Sequence, residues 1–302
     1  MLPFSSLEEA AASLGRPLTH AETLWFRYSA TMPDYFIYFI IFFLFFWFMV
    51  LCSLPLALIE AMSPKLVNKF KVQPNVRIPF SRVLQCYKDV FIIQLIAITP
   101  IESIFIPFFK LMGIRTSLPL PSLWPEVAVQ LLVYMLVEDY GVYWVHRLMH
   151  SPWAYDKFHR VHHEYTAPIG ICTNYGHWVD ILILSLPTVA GPAIAPCHVL
   201  TFTAWLFLRQ LQAVESHCGH DFPWSPNKFI PFYGGAEYHD FHHYVGKSQS
   251  NFASTFTYCD YIYGTYKGYQ YRKTCLANMK RTLSIEGNLQ MLQESSHDLK
   301  SQ

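Results

Sequence analysis

Residues 138–163 read EDYGVYWVHRLMHSPWAYDKFHRVHH, and the fold turns on how this stretch is read. An apolar segment, Val127 to Val145, runs straight into His146 and His150. Four residues apart, two imidazoles share one face of a helix. His159, His162 and His163 follow at i, i+3 and i+4, the spacing that again puts three rings on one helical face. Farther on, His239, His242 and His243 repeat that spacing, and His217 and His220 stand between the two triads. The chain has 14 histidines, and 12 of them fall between His146 and His243, which makes isolated structural roles for each a poor explanation. Ten are candidate ligands. One ion has no use for ten, whereas two ions take about five each and keep a position open. Imidazole suits iron, zinc, copper and nickel, so spacing alone leaves the metal open. An H-E-x-x-H motif is absent, which argues against a zinc hydrolase.

Outward from the histidines the chain is strongly apolar. Hydrophobic residues make up 52% and charged residues 14% of 302, well below the ~25% charged share of a typical soluble domain. Tyr35 to Leu58 is a run of 24 uncharged residues, long enough to cross a hydrocarbon core of ~30 Å. Val90 to Phe109 is a second span, interrupted by Pro100 and Glu102, and Val127 to Val145 is a third. Ile181 to Leu208 carries no formal charge but has Pro187, Gly191, Pro192 and Pro196 near its middle, so it is expected to fold back as a short hairpin. The expected fold class is an all-α integral membrane protein with about three spans, that hairpin, and a histidine-rich di-metal helical domain. The expected divisions are an N-terminal segment 1–34, transmembrane helices and loops 35–145, a catalytic region 146–270 with the hairpin 181–208, and a polar tail 271–302.

Lys65, Lys69, Lys71, Arg77, Arg82 and Lys88 follow the first span with no acid among them, which places that loop in the cytosol by the positive-inside rule. The two spans that follow return the histidines to the same side. A net charge of +1 gives no general basic field for nucleic acid. Seven scattered cysteines without a C-x-x-C pair fit reduced thiols better than a disulfide framework.

Several residues are candidates for orienting the ligands. Asp139 and Tyr143 share a helical stripe with His146 and His150, and Asp139 either holds a ligand imidazole or pairs with Arg147. Asp240 and Glu164 adjoin ligands. His177 either supports the site or caps the apolar segment after it, and His198 is expected to be structural.

The segments EDYGVYWVHRLMH (138–150), KFHRVHHEYTAPIG (157–170), ESHCGHDFPWSP (215–226) and FYGGAEYHDFHH (232–243) resemble the fatty acid hydroxylase superfamily of membrane non-haem di-iron enzymes. More closely, they resemble its plant C4-methylsterol monooxygenases, and TLWFRYSAT (23–31) is similar to the branch acting on 4,4-dimethylsterols such as 24-methylenecycloartanol. The resemblance covers roughly residues 20 to 270. It implies two iron ions held by His146, His150, His159, His162, His163, His217, His239, His242 and His243, with His220 as the tenth candidate. It implies stepwise oxidation of a 4α-methyl group to the carboxylate, with O2 as co-substrate and electrons from NAD(P)H through cytochrome b5 and its reductase. It also implies a partner 3β-hydroxysteroid dehydrogenase/C4-decarboxylase and an endoplasmic reticulum membrane with the active site facing the cytosol. The alternatives are another lipid oxidase of the superfamily (a 4α-monomethylsterol oxidase, a sterol desaturase, a fatty acyl hydroxylase or an aldehyde enzyme) and, from a different class, a membrane metal transporter or sensor. A transporter would place its ligands at mid-membrane, whereas these flank the apolar segments.

Overall fold

A computed structural model describes residues 4–247 and 250–267; the expected polar tail 271–302 lies outside the described residues. Those residues form helices joined by loops, with no strand among them beyond isolated bridges. Two short helices, α1 (Leu7–Leu14) and α2 (His20–Ser29), precede the apolar body. In α2, Thr19 and Glu22 form a capping box that satisfies the first free N–H groups.

The first span is α3 (Asp34–Met62), and the second is α4 (Phe80–Leu111). Both are long and apolar enough to cross a membrane. Pro100 does not break α4 as the sequence suggests. A π-helical turn at Gln94–Ile98 precedes it and takes up the local mismatch, so the helix continues. The third segment is α5 (Ala128–Met149). It carries Glu138 and Asp139 on its buried side, yet Val129, Leu132, Leu136, Tyr140 and Leu148 form an exposed apolar stripe at helical spacing. A stripe of that kind on the outside of a bundle suits hydrocarbon, and with α3 and α4 it marks a membrane protein.

The hairpin is deeper than expected. Its arms are α6 (Trp178–Ile194) and α7 (Val199–Ser216), and Pro187 and Pro192 lie inside α6 rather than at the bend. At 1.5 Å per residue each arm is ~25–27 Å long, close to the full hydrocarbon thickness. The bend meets the loop between α4 and α5, where Arg115 N donates to Cys197 O at 2.9 Å and Val199 N donates to Arg115 O at 2.8 Å. His198 caps α7 by accepting from Leu200 N. Helices α5 and α6 approach closely because Gly191 faces Tyr134; a Cβ there would lie 2.7 Å from the Tyr134 Cα.

The bundle has two unlike ends. Trp25 Nε1 donates to Thr116 O, so the N-terminal helices join the end that holds the hairpin bend. At the other end the basic loop meets the histidine segments: Val72 N donates to Gly219 O at 3.0 Å, and Asp221 N donates to Phe70 O at 2.8 Å. The loop from Lys65 to Lys88 and the segment from Arg147 to Arg160 are therefore expected to label from the same side of sealed microsomes in a cysteine-accessibility experiment, with residues 16–24 labelling from the other. Opposite accessibility of the first two would refute this arrangement.

Candidate metal centre

Among the described residues, nine imidazoles converge at the polar end of the bundle. Helix α5 delivers His146 from its last turn and His150 from its C-cap. The triad His159, His162 and His163 lies in a 3-10 turn, His159–Glu164, rather than on the α-helical face the spacing suggested. His217 caps the C-terminus of α7. The last triad does sit on an α-helix, α8 (Gly235–Val245), which ends at Gly246, a position with φ of +61° that a side-chain-bearing residue rarely adopts.

The rings form two groups. His146, His150, His159, His163 and His242 bring one ring nitrogen each to within 4.8 Å of all the others, and His162, His217, His239 and His243 do the same. The groups are neighbours: the rings of His163 and His243 stack with centroids 4.7 Å apart. All nine are buried. Burial, reinforced by the neighbouring imidazoles, holds His159, His163, His239, His242 and His243 well below the ordinary histidine pKa. They are neutral, the state a metal ligand requires.

The hydrogen bonds fix which nitrogen faces inward. His146 Nδ1 lies 2.8 Å from Phe252 O, His162 Nδ1 2.9 Å from Tyr175 O, and His217 Nδ1 2.8 Å from Ala213 O. His242 Nδ1 lies 2.9 Å from Ser250 O, His243 Nδ1 3.1 Å from Tyr165 O, and His159 Nδ1 2.9 Å from Asp180 Oδ1. Carbonyl and carboxylate oxygens only accept, so Nδ1 carries the hydrogen in each, and Nε2 keeps a lone pair. Those lone pairs then face one another. The Nε2 atoms of His146 and His159 are 3.1 Å apart, and those of His162 and His217 are 3.4 Å apart. Neither pair has a hydrogen to share, and His243 Nε2 is buried with no hydrogen-bond partner among the described residues. A cation resolves the conflict. Metal–imidazole bonds of ~2.1 Å put adjacent ligands of an octahedral ion ~3 Å apart, the separation observed. The residues present thus fit a two-ion centre with an all-imidazole donor set.

Of the ten expected ligands, His220 stands apart. It donates from Nδ1 to Cys218 O, its ring stacks on Phe222, and its Nε2 is 3.9 Å from Glu60 Oε2. The candidates for orienting the ligands bond elsewhere than to a ligand imidazole, and His177 takes the capping role. Asp139 Oδ1 accepts from Thr255 N and Phe256 N, both at 2.9 Å, and makes no bond to a histidine. Arg147 donates to Tyr143 Oη, which also bonds Thr265 Oγ1. Asp240 Oδ1 accepts from Gln73 Nε2 and ties α8 to the basic loop. His177 caps α6 by accepting from Val179 N, and Glu164 accepts from Tyr175 Oη. Among the described residues, the carboxylate that holds a ligand imidazole is Asp180, in the first turn of α6, 2% exposed. It lies three residues beyond His177, at the start of an apolar run, where a buried charge is costly without a partner.

A cavity of about 410 Å³ leads away from the rings. His146 and His159 of one group and His162, His217 and His239 of the other form part of its wall. The remaining wall is mostly apolar, with Phe42, Phe45, Phe109 and Phe202 from three helices. Phe105, Phe108 and Leu186 line it too and are exposed on the outer surface, so its far end reaches the apolar exterior. Its size is within the range of small-molecule sites.

Comparison with known proteins agrees with this centre. The family model described as fatty acid hydroxylase matches residues 131–265, from within α5 onward. A rice (Oryza sativa subsp. japonica) protein named very-long-chain aldehyde decarbonylase GL1-10 is 54% identical over 95% of this chain and 95% of its own length. Two proteins of Arabidopsis thaliana, methylsterol monooxygenase 1-1 and methylsterol monooxygenase 1-2, are each 54% identical over 93% of this chain and 95% and 94% of theirs. No solved structure matches. The histidine groups and these relatives together point to non-haem iron. With near-complete coverage at this identity, and with the matched region enclosing all nine converging histidines, the chain belongs to the fatty acid hydroxylase family.

Proposed function

We propose that this protein is a methylsterol monooxygenase that oxidises the 4α-methyl group of 4,4-dimethylsterols to the carboxylate. The observation that carries the reading is the cavity: an apolar chamber that begins at the exposed hydrophobic surface and ends on imidazoles of both groups. A membrane-borne substrate enters such a chamber without crossing water. In this reading His146, His150, His159, His163 and His242 hold one iron, and His162, His217, His239 and His243 hold the other. Bound iron supplies oxidising power toward an unactivated C–H bond, drawing on O2 and on electrons from NAD(P)H through cytochrome b5 and its reductase.

The chain's own contribution is placement. Six Nδ1–H groups are pinned by carbonyls or by Asp180, which aims each Nε2 inward. The phenylalanine walls exclude water and present the methyl group to the ring-lined end. The product acid would pass to a 3β-hydroxysteroid dehydrogenase/C4-decarboxylase. The basic loop on the histidine side supports a cytosol-facing site, and the family resemblance supports the endoplasmic reticulum membrane.

Expression in a yeast strain lacking its own C4-methyl oxidase is expected to restore growth without added sterol and to clear 4,4-dimethylsterols from the sterol profile. One methyl group changes binding by only ~1–3 kcal/mol, so the preference over 4α-monomethylsterols should be about 10- to 200-fold at most. The name of the rice relative favours a second reading, conversion of long-chain aldehydes. Growth that is not restored, together with turnover of a fatty aldehyde, would favour it.

A further inference from the structure

Two of the buried polar atoms in the cavity wall find no hydrogen-bond partner among the described residues. Glu138, on α5, is 1% exposed; its Oε1 accepts from Arg209 Nε at 2.6 Å and from Thr188 Oγ1 at 3.4 Å, while its Oε2 has no partner. Gln210, on α7, is 4% exposed, and its Nε2 has none either. Both side chains line the cavity, in walls that are otherwise largely apolar. A buried donor or acceptor left unmade is costly, and a few convergent polar groups in an apolar site ordinarily fix a ligand's orientation.

We propose that Glu138 Oε2 and Gln210 Nε2 bind the ring hydroxyl of the substrate. One is an acceptor and the other a donor, and an alcohol is the functional group that answers both at once: its hydrogen goes to the carboxylate and its oxygen accepts from the amide. Their position relative to the metal centre suits this. Phe252 O holds His146, and Ser254 Oγ, two residues on, accepts from Arg209 Nη2, the arginine that holds Glu138. Two residues of chain span at most ~7 Å. On the α7 side, the His217 ring folds back to Ala213 O, one turn from Gln210. Glu138 precedes His146 by eight residues on α5, ~12 Å along the axis, and Gln210 precedes His217 by seven on α7, ~10 Å. In a sterol the C3 hydroxyl and the C4 methyl group sit on neighbouring ring carbons, so anchoring the oxygen there turns the methyl carbon toward the imidazoles. The proposal rests on the sterol reading above and adds to it the groups that set which carbon is presented.

The test compares a 4,4-dimethylsterol with its 3-deoxy analogue in microsomes supplemented with cytochrome b5 and its reductase. Wild type is expected to favour the hydroxylated substrate by about 10- to 100-fold in kcat/KM. Gln210→Leu should shrink that ratio about tenfold by slowing the hydroxylated substrate alone, with iron content unchanged. Gln210→Met keeps the length of the side chain and serves as the second variant if leucine disturbs packing. An unchanged ratio in variants with normal iron content overturns this proposal and leaves the sterol reading standing. A wild-type enzyme that oxidises neither sterol overturns both.

Discussion

Alanine in place of His146, His162 or His242 is expected to abolish turnover while leaving the protein in the membrane. Each ring is buried and contributes one inward nitrogen, His146 and His242 to the group of five and His162 to the group of four. Loss of a partner that merely orients a ligand costs ~10–100-fold, so loss of the ligand itself should exceed ~100-fold in turnover. The lipid-facing surface is untouched, because the exposed apolar residues of α3, α4 and α5 lie elsewhere. Resistance to carbonate extraction should therefore match wild type. Near-normal activity in two of the three variants would remove the two-ion reading.

The second large effect separates two carboxylates. Asp180→Asn removes the charge that holds His159 Nδ1 at 2.9 Å. The amide still offers an oxygen, so the ring stays in place, but the imidazole loses the charge that raises its basicity. Activity is expected to fall ~10–100-fold with part of the iron retained. Asp139→Asn should act otherwise. Asp139 anchors the backbone N–H groups of Thr255 and Phe256, so its loss weakens the packing of that segment against α5 without touching an imidazole directly. Thermal stability and iron retention on heating read its effect, whereas initial activity per bound iron should stay close to wild type. Equal losses per bound iron in both variants would mean that Asp180 has no special hold on the centre.

That contrast shows what the sequence conveys and what it does not. Histidine spacing is dense enough to mark the cage, since i, i+3 and i+4 rings share a face in α8 and the i, i+4 pair shares one at the end of α5. Apolar length marks α3 and α4 directly. The partners of the rings are harder to see. Five of the six oxygens that pin Nδ1 are backbone carbonyls, among them Phe252, Tyr175 and Tyr165, and a carbonyl is present at every residue whatever its side chain. Asp139 shares a helical stripe with His146, but its carboxylate is taken by a loop more than a hundred residues away, which local spacing does not reveal. His220 follows His217 closely in sequence, and the turn between them at Gly219 (φ +68°) points its ring toward Phe222 instead. The hairpin prolines suggest a bend, yet Pro187 and Pro192 are absorbed within α6 because their missing N–H groups are a local loss in a helix supported by close packing on α5.

The measurement closest to the central claim is the iron content of the protein purified in mild detergent under reducing conditions. Metal quantified by mass spectrometry against protein by amino-acid analysis should give two iron ions per chain, one for each group of imidazoles. His162→Ala and His242→Ala should each lower that value. A stoichiometric content of one ion per chain, or two zinc ions with no activity gained on exchange for iron, would contradict a two-iron centre at the end of the cavity.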